Sequence, residues 1–357
     1  MAAPASGIGR FTVSLVAELG RSDDFRYLGM AHRAFADLKE ELPDLEFETQ
    51  PAPLGAIWQQ LRLPKRLAQG DVDLFWSPLF TLPLRSRLPA VVTVHDLTAV
   101  LFPETHRRKV RWSIQPLLEP TLNVARRILA DSRSTADDLR FHFPSCAERV
   151  EVVYPGVDPE FRPAEQEEVA AIREELDCPS GYLLYAGVLE PRKNLDALLD
   201  AWEVLRDDQP GTPPLVLAGP IGWRTSALER RLGLLEPRGL RVLGRLDRPR
   251  LVQVMQGASV FVYPSLYEGF GLPVAEAMAC GVPVVTSQTS SLPEVVGEAG
   301  LLIDPHDSGA IASAIRSLID EPAHAAELMY AGLEQVRQFT WDRAARQMEH
   351  VFRRALE

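Results

Sequence analysis

Lysine is scarce in this chain: of 38 basic residues only four are lysines, Lys39, Lys65, Lys109 and Lys193, so a lysine inside a motif stands out. Cysteine is nearly as rare. Cys146, Cys178 and Cys280 are far apart and odd in number, which excludes a disulfide framework and a zinc site and suits reduced thiols in a cytoplasm. There is no basic excess, and a formal net charge of −11 argues against a general nucleic-acid binder, which needs cations to neutralise a phosphate backbone. No apolar run approaches the roughly 20 residues that span a bilayer, and no cationic, apolar leader is visible, so the expected location is the cytoplasm. Low-complexity tracts and repeats of solenoid period are also absent. What remains is ordinary globular composition, 46% hydrophobic and 24% charged, in 357 residues, enough for two domains with a core each.

The most informative stretch is Ala258 to Ser287, ASVFVYPSLYEGFGLPVAEAMACGVPVVTS. Val260-Phe261-Val262-Tyr263 and Val282-Pro283-Val284-Val285 are short, apolar and rich in β-branched residues, and predict two buried strands. A helix lies between them, with Pro273 in its first turn, strong helix formers from Ala275 to Ala279, and Gly281 as a left-handed cap. That is a βαβ unit and hence a parallel sheet. Its loop places Gly269 and Gly271 and several free N–H groups at the helix amino terminus, where the macrodipole favours a phosphate. Glu268 and, eight residues on, Glu276 flank it. Carboxylates beside a phosphate repel the ligand unless they accept hydrogen bonds from its hydroxyls, which points to sugars on either side of a diphosphate.

Glu268-Gly269-Phe270-Gly271-Leu272-Pro273-Val274-Ala275-Glu276 resembles the Glu-x7-Glu motif of the retaining GT-B glycosyltransferases, specifically family four. The likeness extends over PSLYEGFGLP before the helix and EAMACGVPVV after it. It implies that Glu268 faces the transferred sugar, Glu276 holds the ribose hydroxyls, and the N–H groups of Phe270, Gly271 and Leu272 receive the diphosphate. The plain structural alternative is a helix-start glutamate and a solvated loop residue.

Gly7-Ile8-Gly9-Arg10-Phe11 leads into an apolar-periodic helix ending near Gly20, yet no strand precedes this glycine loop. As a dinucleotide fingerprint it is weak, lacking both that strand and a third glycine. A similar loop in the resembled family faces the donor, so Gly7 and Gly9 are candidates, and the expectation is an amino-terminal domain without its usual first strand. Strands are then predicted at Phe25 to Gly29, Leu45 to Thr49, Leu74 to Trp76, Val91 to Val94, Arg127 to Ala130 and Val150 to Tyr154. Helices are predicted at Ile57 to Gln69, Glu104 to Val124 and Ser134 to His142. Such alternation means a parallel sheet with ligands at the carboxyl ends of its strands. His95 follows Ala90-Val91-Val92-Thr93-Val94 at that edge, where it can donate a hydrogen bond to a sugar hydroxyl or simply cap the next loop. By resemblance it is the histidine that reaches the transferred sugar. ETHRRKVRW, Glu104 to Trp112, is a local basic cluster, either a solvated helix face or a patch for a polyprenyl phosphate or an anionic membrane.

Pro155-Gly156-Val157-Asp158-Pro159 is a turn-forming exit to a second domain. There the strand Tyr182 to Ala186 is followed by Glu190-Pro191-Arg192-Lys193-Asn194 and an amphipathic helix from Leu195 to Arg206. A cationic pair at a helix start opposes the dipole unless an anion binds, and Lys193 is one of the scarce lysines. The resemblance implies that Arg192 and Lys193 neutralise the diphosphate leaving group. Many relatives carry an arginine directly after the glycine, where this chain has Val188. The loop Gly244-Arg245-Leu246, after the strand Arg241 to Leu243, is implied to read the nucleotide base through its backbone.

The expected fold is α/β of the GT-B kind, two doubly wound Rossmann-like domains facing a cleft. Residues 1–158 form the acceptor side, 159–339 bind the donor, and a helix over 340–357 crosses back to the first domain. The expected activity is hexosyl transfer from a nucleoside-diphosphate sugar, GDP-mannose or a UDP-sugar, to a hydroxyl of a glycan or polyprenyl-phosphate-linked acceptor. Retention is implied by the resemblance. No cofactor or metal is expected, since no Asp-x-Asp or His cluster offers ligands, and the partners exclude nucleic acid but include peripheral contact with the inner membrane face. The rivals are a non-catalytic binder of sugar nucleotides or glycans, a sugar-nucleotide epimerase, and a phosphorylase, for which the scarcity of lysine leaves few pyridoxal positions.

Overall fold

A computed structural model describes residues 7–33, 40–103, 108–223 and 225–357. The chain divides into two compact units, residues 1–156 with 339–357, and residues 157–338. Each unit is an α/β layer structure around parallel strands.

In the first unit, β1 (Leu28–Ala31) pairs with β2 (Glu46–Thr49) as a separate two-stranded sheet. The main sheet is β3 (Phe75–Ser77), β4 (Ala90–Val94), β5 (Arg127–Ala130) and β6 (Val150–Val152), side by side in that order and all parallel. Gly7–Leu19 is the first described helix, residues 1–6 lying outside the described residues, and the six described strands of this unit fall into two sheets. Alternation along β4 and β5 sends side chains to two different cores, as the two-residue strand period requires. Val92, Val94, Ile128 and Ala130 pack with Leu118, Leu122, Ala136 and Leu139 on one face. Val91 and Leu129 pack with Phe11, Leu15 and Leu19 and with Trp341, Met348 and Phe352 on the other. The carboxyl-terminal helix Trp341–Leu356 thus belongs to the first unit's core, its start capped by Thr340 accepting from the Arg343 N–H. Gly156 lets the chain pass this helix, because a Cβ there would lie 2.3 Å from the Trp341 backbone nitrogen.

The second unit has six parallel strands in the order β12 (Leu301–Ile303), β11 (Val284–Ser287), β10 (Val260–Tyr263), β7 (Leu183–Ala186), β8 (Leu215–Ala218) and β9 (Leu240–Gly244). Four of them, β7, β8, β10 and β11, are buried along their whole length, which is why they read as unbroken apolar runs. The strand order reverses between β7 and β10, where a doubly wound sheet leaves room for a ligand at the carboxyl edge.

Local differences from expectation are informative. Among the described residues the first strand is β1, three residues later than the Phe25 start, and Phe25 instead packs its ring edge-on against Phe352. Residues 55–67 are helical but carry a π-helical stretch at Trp58–Arg62. The helix Arg248–Gln256 has only a weak apolar period in the sequence, and Asp247 caps it by accepting from the Arg250 N–H at 3.0 Å. Of the basic cluster, residues 104–107 lie outside the described residues, and the helix runs from Arg108 to Val124.

Candidate active site

Three glycines keep the carboxyl edge of the second sheet low. Gly187, Gly219 and Gly244 follow or end β7, β8 and β9, and all have positive φ. The Gly187 N–H donates to Ala218 O at 2.8 Å, and the Gly219 N–H to Gly244 O at 2.7 Å. A Cβ on Gly219 would stand 1.8 Å from the Gly187 carbonyl oxygen. No other residue fits there, and Gly244 is held at this edge with Arg245 exposed beside it and Leu246 half-buried.

The loops after β7 and β10, on either side of the reversal, are stitched together. Pro191–Lys193 forms a 3-10 turn ended by Asn194 in the left-handed conformation at φ 57°. Asn194 Nδ2 donates to the carbonyls of Pro264 (3.2 Å) and Pro305 (2.6 Å), and the Leu266 N–H donates to Arg192 O at 3.0 Å. The result is a buried cluster. Lys193 Nζ donates to Glu268 Oε1 at 2.5 Å and to the Tyr263 hydroxyl at 2.6 Å. Ser265 Oγ donates to the same Oε1 at 2.5 Å, and Arg192 Nη1 lies 3.1 Å from it. Arg192 also donates to Glu190 Oε1 at 2.9 Å and to the Tyr267 carbonyl. Lys193, Glu268 and Glu190 are each 6–7% exposed.

Two acids and two bases leave this cluster neutral, which is how charge survives burial. Burial by itself would raise the Glu268 pKa; Arg192 and Lys193, with hydrogen bonds from Lys193 and Ser265, bring it down to about 2. Burial lowers the Lys193 pKa, an effect that the Glu268 charge opposes. Burial and the Glu268 charge push the Tyr263 phenol far up, so it stays neutral and accepts from Lys193. Its ring stacks on Tyr185, with centroids 5.5 Å apart.

The helix Leu272–Ala279 starts beside Glu268. Gly271 is its N-cap at φ 103°, and a Cβ there would meet Leu292 at 2.7 Å. The Glu268 N–H donates to Ser290 Oγ (2.9 Å), and Ser291 Oγ lies 2.7 Å from the Phe270 carbonyl, which fixes the loop from below. Phe270 is buried and Leu272 half-buried, and Glu276 is half-buried on the helix's second turn.

In the first unit Gly7 and Gly9 open the helix Gly7–Leu19, Gly9 being buried. His95 stands past the end of β4, 7% exposed, between Phe11 and Phe80, whose rings meet it edge-on with centroids at 5.0 and 5.7 Å. Nδ1 is 2.7 Å from Asp131 Oδ2, and Nε2 is 2.8 Å from the Pro78 carbonyl oxygen. The second unit therefore gathers Arg192, Lys193, Glu268, Phe270, Gly271, Leu272 and Glu276 around one sheet edge, with Gly244 ending β9 of the same sheet and Arg245 and Leu246 following it, whereas Gly7, Gly9 and His95 belong to the other unit. Sequence reasoning missed Tyr263, Ser265, Glu190 and Asp131. The first two sit inside the quoted motif and Asp131 directly follows a predicted strand, but nothing in the sequence alone shows what those side chains touch.

Two Rossmann-like α/β units, each built on parallel sheets, are the architecture of the GT-B glycosyltransferases. Family profiles cover nearly all of the chain: that of glycosyltransferase family 4 matches residues 5–161, and that of glycosyl transferases group 1 matches residues 170–335. The chain is 32% identical over 371 residues to the O-antigen chain mannosyltransferase B of Escherichia coli, covering 98% of this chain and 96% of that one. It is 33% identical over 251 residues to a D-inositol 3-phosphate glycosyltransferase of Streptomyces avermitilis, covering 65% of this chain and 53% of the relative. The solved structure of Anabaena HepE in complex with UDP and glucose has the same fold, with TM-score 0.79, 21% identity, and coverage of 99% of this chain and 97% of that one. This chain belongs to glycosyltransferase family 4, and it is a glycosyltransferase.

Proposed function

We propose that the enzyme moves a hexose from a nucleoside-diphosphate sugar to a hydroxyl of a glycan or lipid-linked acceptor, with retention at the anomeric carbon and without a metal. The observation that carries this reading is the buried Lys193–Glu268–Arg192 cluster beside the Gly271 helix amino terminus. The carboxylate is held ionised to accept from sugar hydroxyls, and the cations and helix N–H groups stand ready for a leaving diphosphate. They accelerate transfer to the degree that they bind the developing diphosphate more tightly than the ester. Glu276 is assigned to the ribose, the backbone from Gly244 to Leu246 to the base, and His95, with Gly7 and Gly9, to the sugar and phosphates. Mannose is favoured as the sugar by the likeness to a mannosyltransferase, which makes GDP-mannose the first donor to try, and UDP-sugars follow from the UDP named with HepE.

Peripheral membrane contact has a structural candidate. Leu54, Ile57 and Leu61 are 59, 39 and 51% exposed on residues 54–61, with Arg62 and Lys65 exposed next to them. Apolar side chains flanked by cations suit an anionic lipid surface. Among the described residues no helix is long and apolar enough to cross a membrane.

The test is donor turnover. With GDP-mannose, UDP-glucose, UDP-galactose and ADP-glucose offered in turn, one donor should release its nucleoside diphosphate above the blank, and Lys193→Ala should lose most of that rate. Release from none of them, or equal release by the variant, contradicts the reading.

A further inference from the structure

The proton count at His95 is fixed by its neighbours. The Pro78 carbonyl can only accept, so Nε2, 2.8 Å away, carries a hydrogen. Nδ1 and Asp131 Oδ2, 2.7 Å apart, share another. The pair thus holds two protons, one more than a neutral histidine beside an ionised aspartate would have. Two forms meet that count, an imidazolium with a carboxylate and a neutral imidazole with a carboxylic acid.

Position decides between them. Asp131 directly precedes Ser132, which caps the ten-residue helix Arg133–His142 by accepting from the Thr135 N–H at 3.0 Å. Burial and the Asp96 charge raise the Asp131 pKa, while the His95 charge and hydrogen bond and the positive end of that helix dipole favour its ionised form. Asp96, the residue after His95, adds a second negative charge, its Oδ1 accepting from the Thr98 N–H at 2.9 Å. Burial disfavours a charged ring, but the Asp131 charge and hydrogen bond, the Pro78 carbonyl and Asp96 together raise the His95 pKa above its usual value. The juxtaposition follows from the fold, since Val94 and Ala130 are paired in register at the ends of β4 and β5 and His95 and Asp131 are the residues that directly follow them.

We propose that Asp131 is a positioning residue that keeps His95 a doubly protonated imidazolium, whose Nε2–H, resting on the Pro78 carbonyl, is a hydrogen-bond donor to substrate oxygen and not a base. That the oxygen belongs to the transferred sugar rests on the function proposed above; the protonation state does not. The Nε2–H leaves the carbonyl for the substrate oxygen and returns afterwards, with no net proton transfer. Activity carried by this donor is present at low pH and falls as pH rises through the raised His95 pKa.

The full chain labelled with 15N-histidine tests this by the imidazole resonances, with His95 assigned through their loss in His95→Gln. At pH about 7.5, above the ordinary histidine pKa of about 6.5, both His95 nitrogens should be protonated. In the isosteric Asp131→Asn the amide donates into Nδ1, so that nitrogen should lose its proton at the same pH while Nε2 keeps its own. Turnover of the responding donor should fall at least about tenfold in Asp131→Asn with little change in donor KM, and Asp131→Asn should add nothing to His95→Gln. A wild-type His95 with one bare nitrogen at that pH overturns the proposal, and the wild-type spectrum needs no variant to fold. Two protonated nitrogens in a protein that turns over no sugar nucleotide would uphold the pair and sink the transfer reading instead.

Discussion

Lys193 and Glu268 hold each other in a site that neither could occupy alone. Removing one partner of an isolated buried ion pair costs about 3–5 kcal/mol, and less here, because Arg192 and Ser265 still reach Glu268 when Lys193 is lost. Lys193→Met should therefore lower both turnover and stability, the latter read as a reduced denaturant midpoint at neutral pH. A second consequence is acid sensitivity. Glu268 titrates at about 2 in the folded chain against 4.5 ordinarily, so the stability it contributes is present above about 4.5 and is lost as pH falls through about 2. In Glu268→Gln the slope of unfolding free energy against pH should be shallower across that window; an unchanged slope would show that the carboxylate is not held as described. Tyr263→Phe removes only the phenol oxygen that accepts from Lys193, so a loss of about 1 kcal/mol is expected with the fold intact.

Among elements, the loops at the carboxyl edge of the second sheet matter most. Gly219→Ala pushes a methyl carbon to within 1.8 Å of the Gly187 carbonyl, so β7 and β8 must separate at their ends. We expect a loss of about 1–3 kcal/mol from this overpacking, together with weaker nucleotide binding. Normal stability and binding in the purified variant would show that the edge is more yielding than its geometry implies. Most of this edge was legible in the sequence. The run around Val260, the Gly271 start and the Gly281 stop are local signals, and the structure has the strand and the helix there. The helix Arg248–Gln256 was missed, since its Asp247 cap and following Pro249 are short-range signals overshadowed by the weak periodicity between them. Strand ends at Val94 and Ala130 were both read from sequence, yet Asp131 was not connected to His95. Which strands are neighbours, and in what register, is a property of the sheet that local pattern does not carry.

For the whole molecule, the division into two units means that each site can be perturbed separately. The exposed Leu54, Ile57 and Leu61 lie in the first unit, away in sequence from the Lys193–Glu268 cluster, so Leu54→Asp with Leu61→Asp should reduce cosedimentation with phosphatidylglycerol vesicles while leaving nucleotide affinity unchanged. Binding that stays equal in the double variant would remove the membrane reading.

The most direct measurement is a metal-free calorimetric titration of the chain and of Glu276→Ala with GDP, UDP, ADP and dTDP. A formed donor site predicts that one nucleotide binds the wild type, GDP before UDP, and that the variant binds it at least about tenfold more weakly through the loss of its ribose contact. Binding of none of the four, or equal affinity in the variant, would contradict the assignment of this sheet edge to a sugar-nucleotide donor.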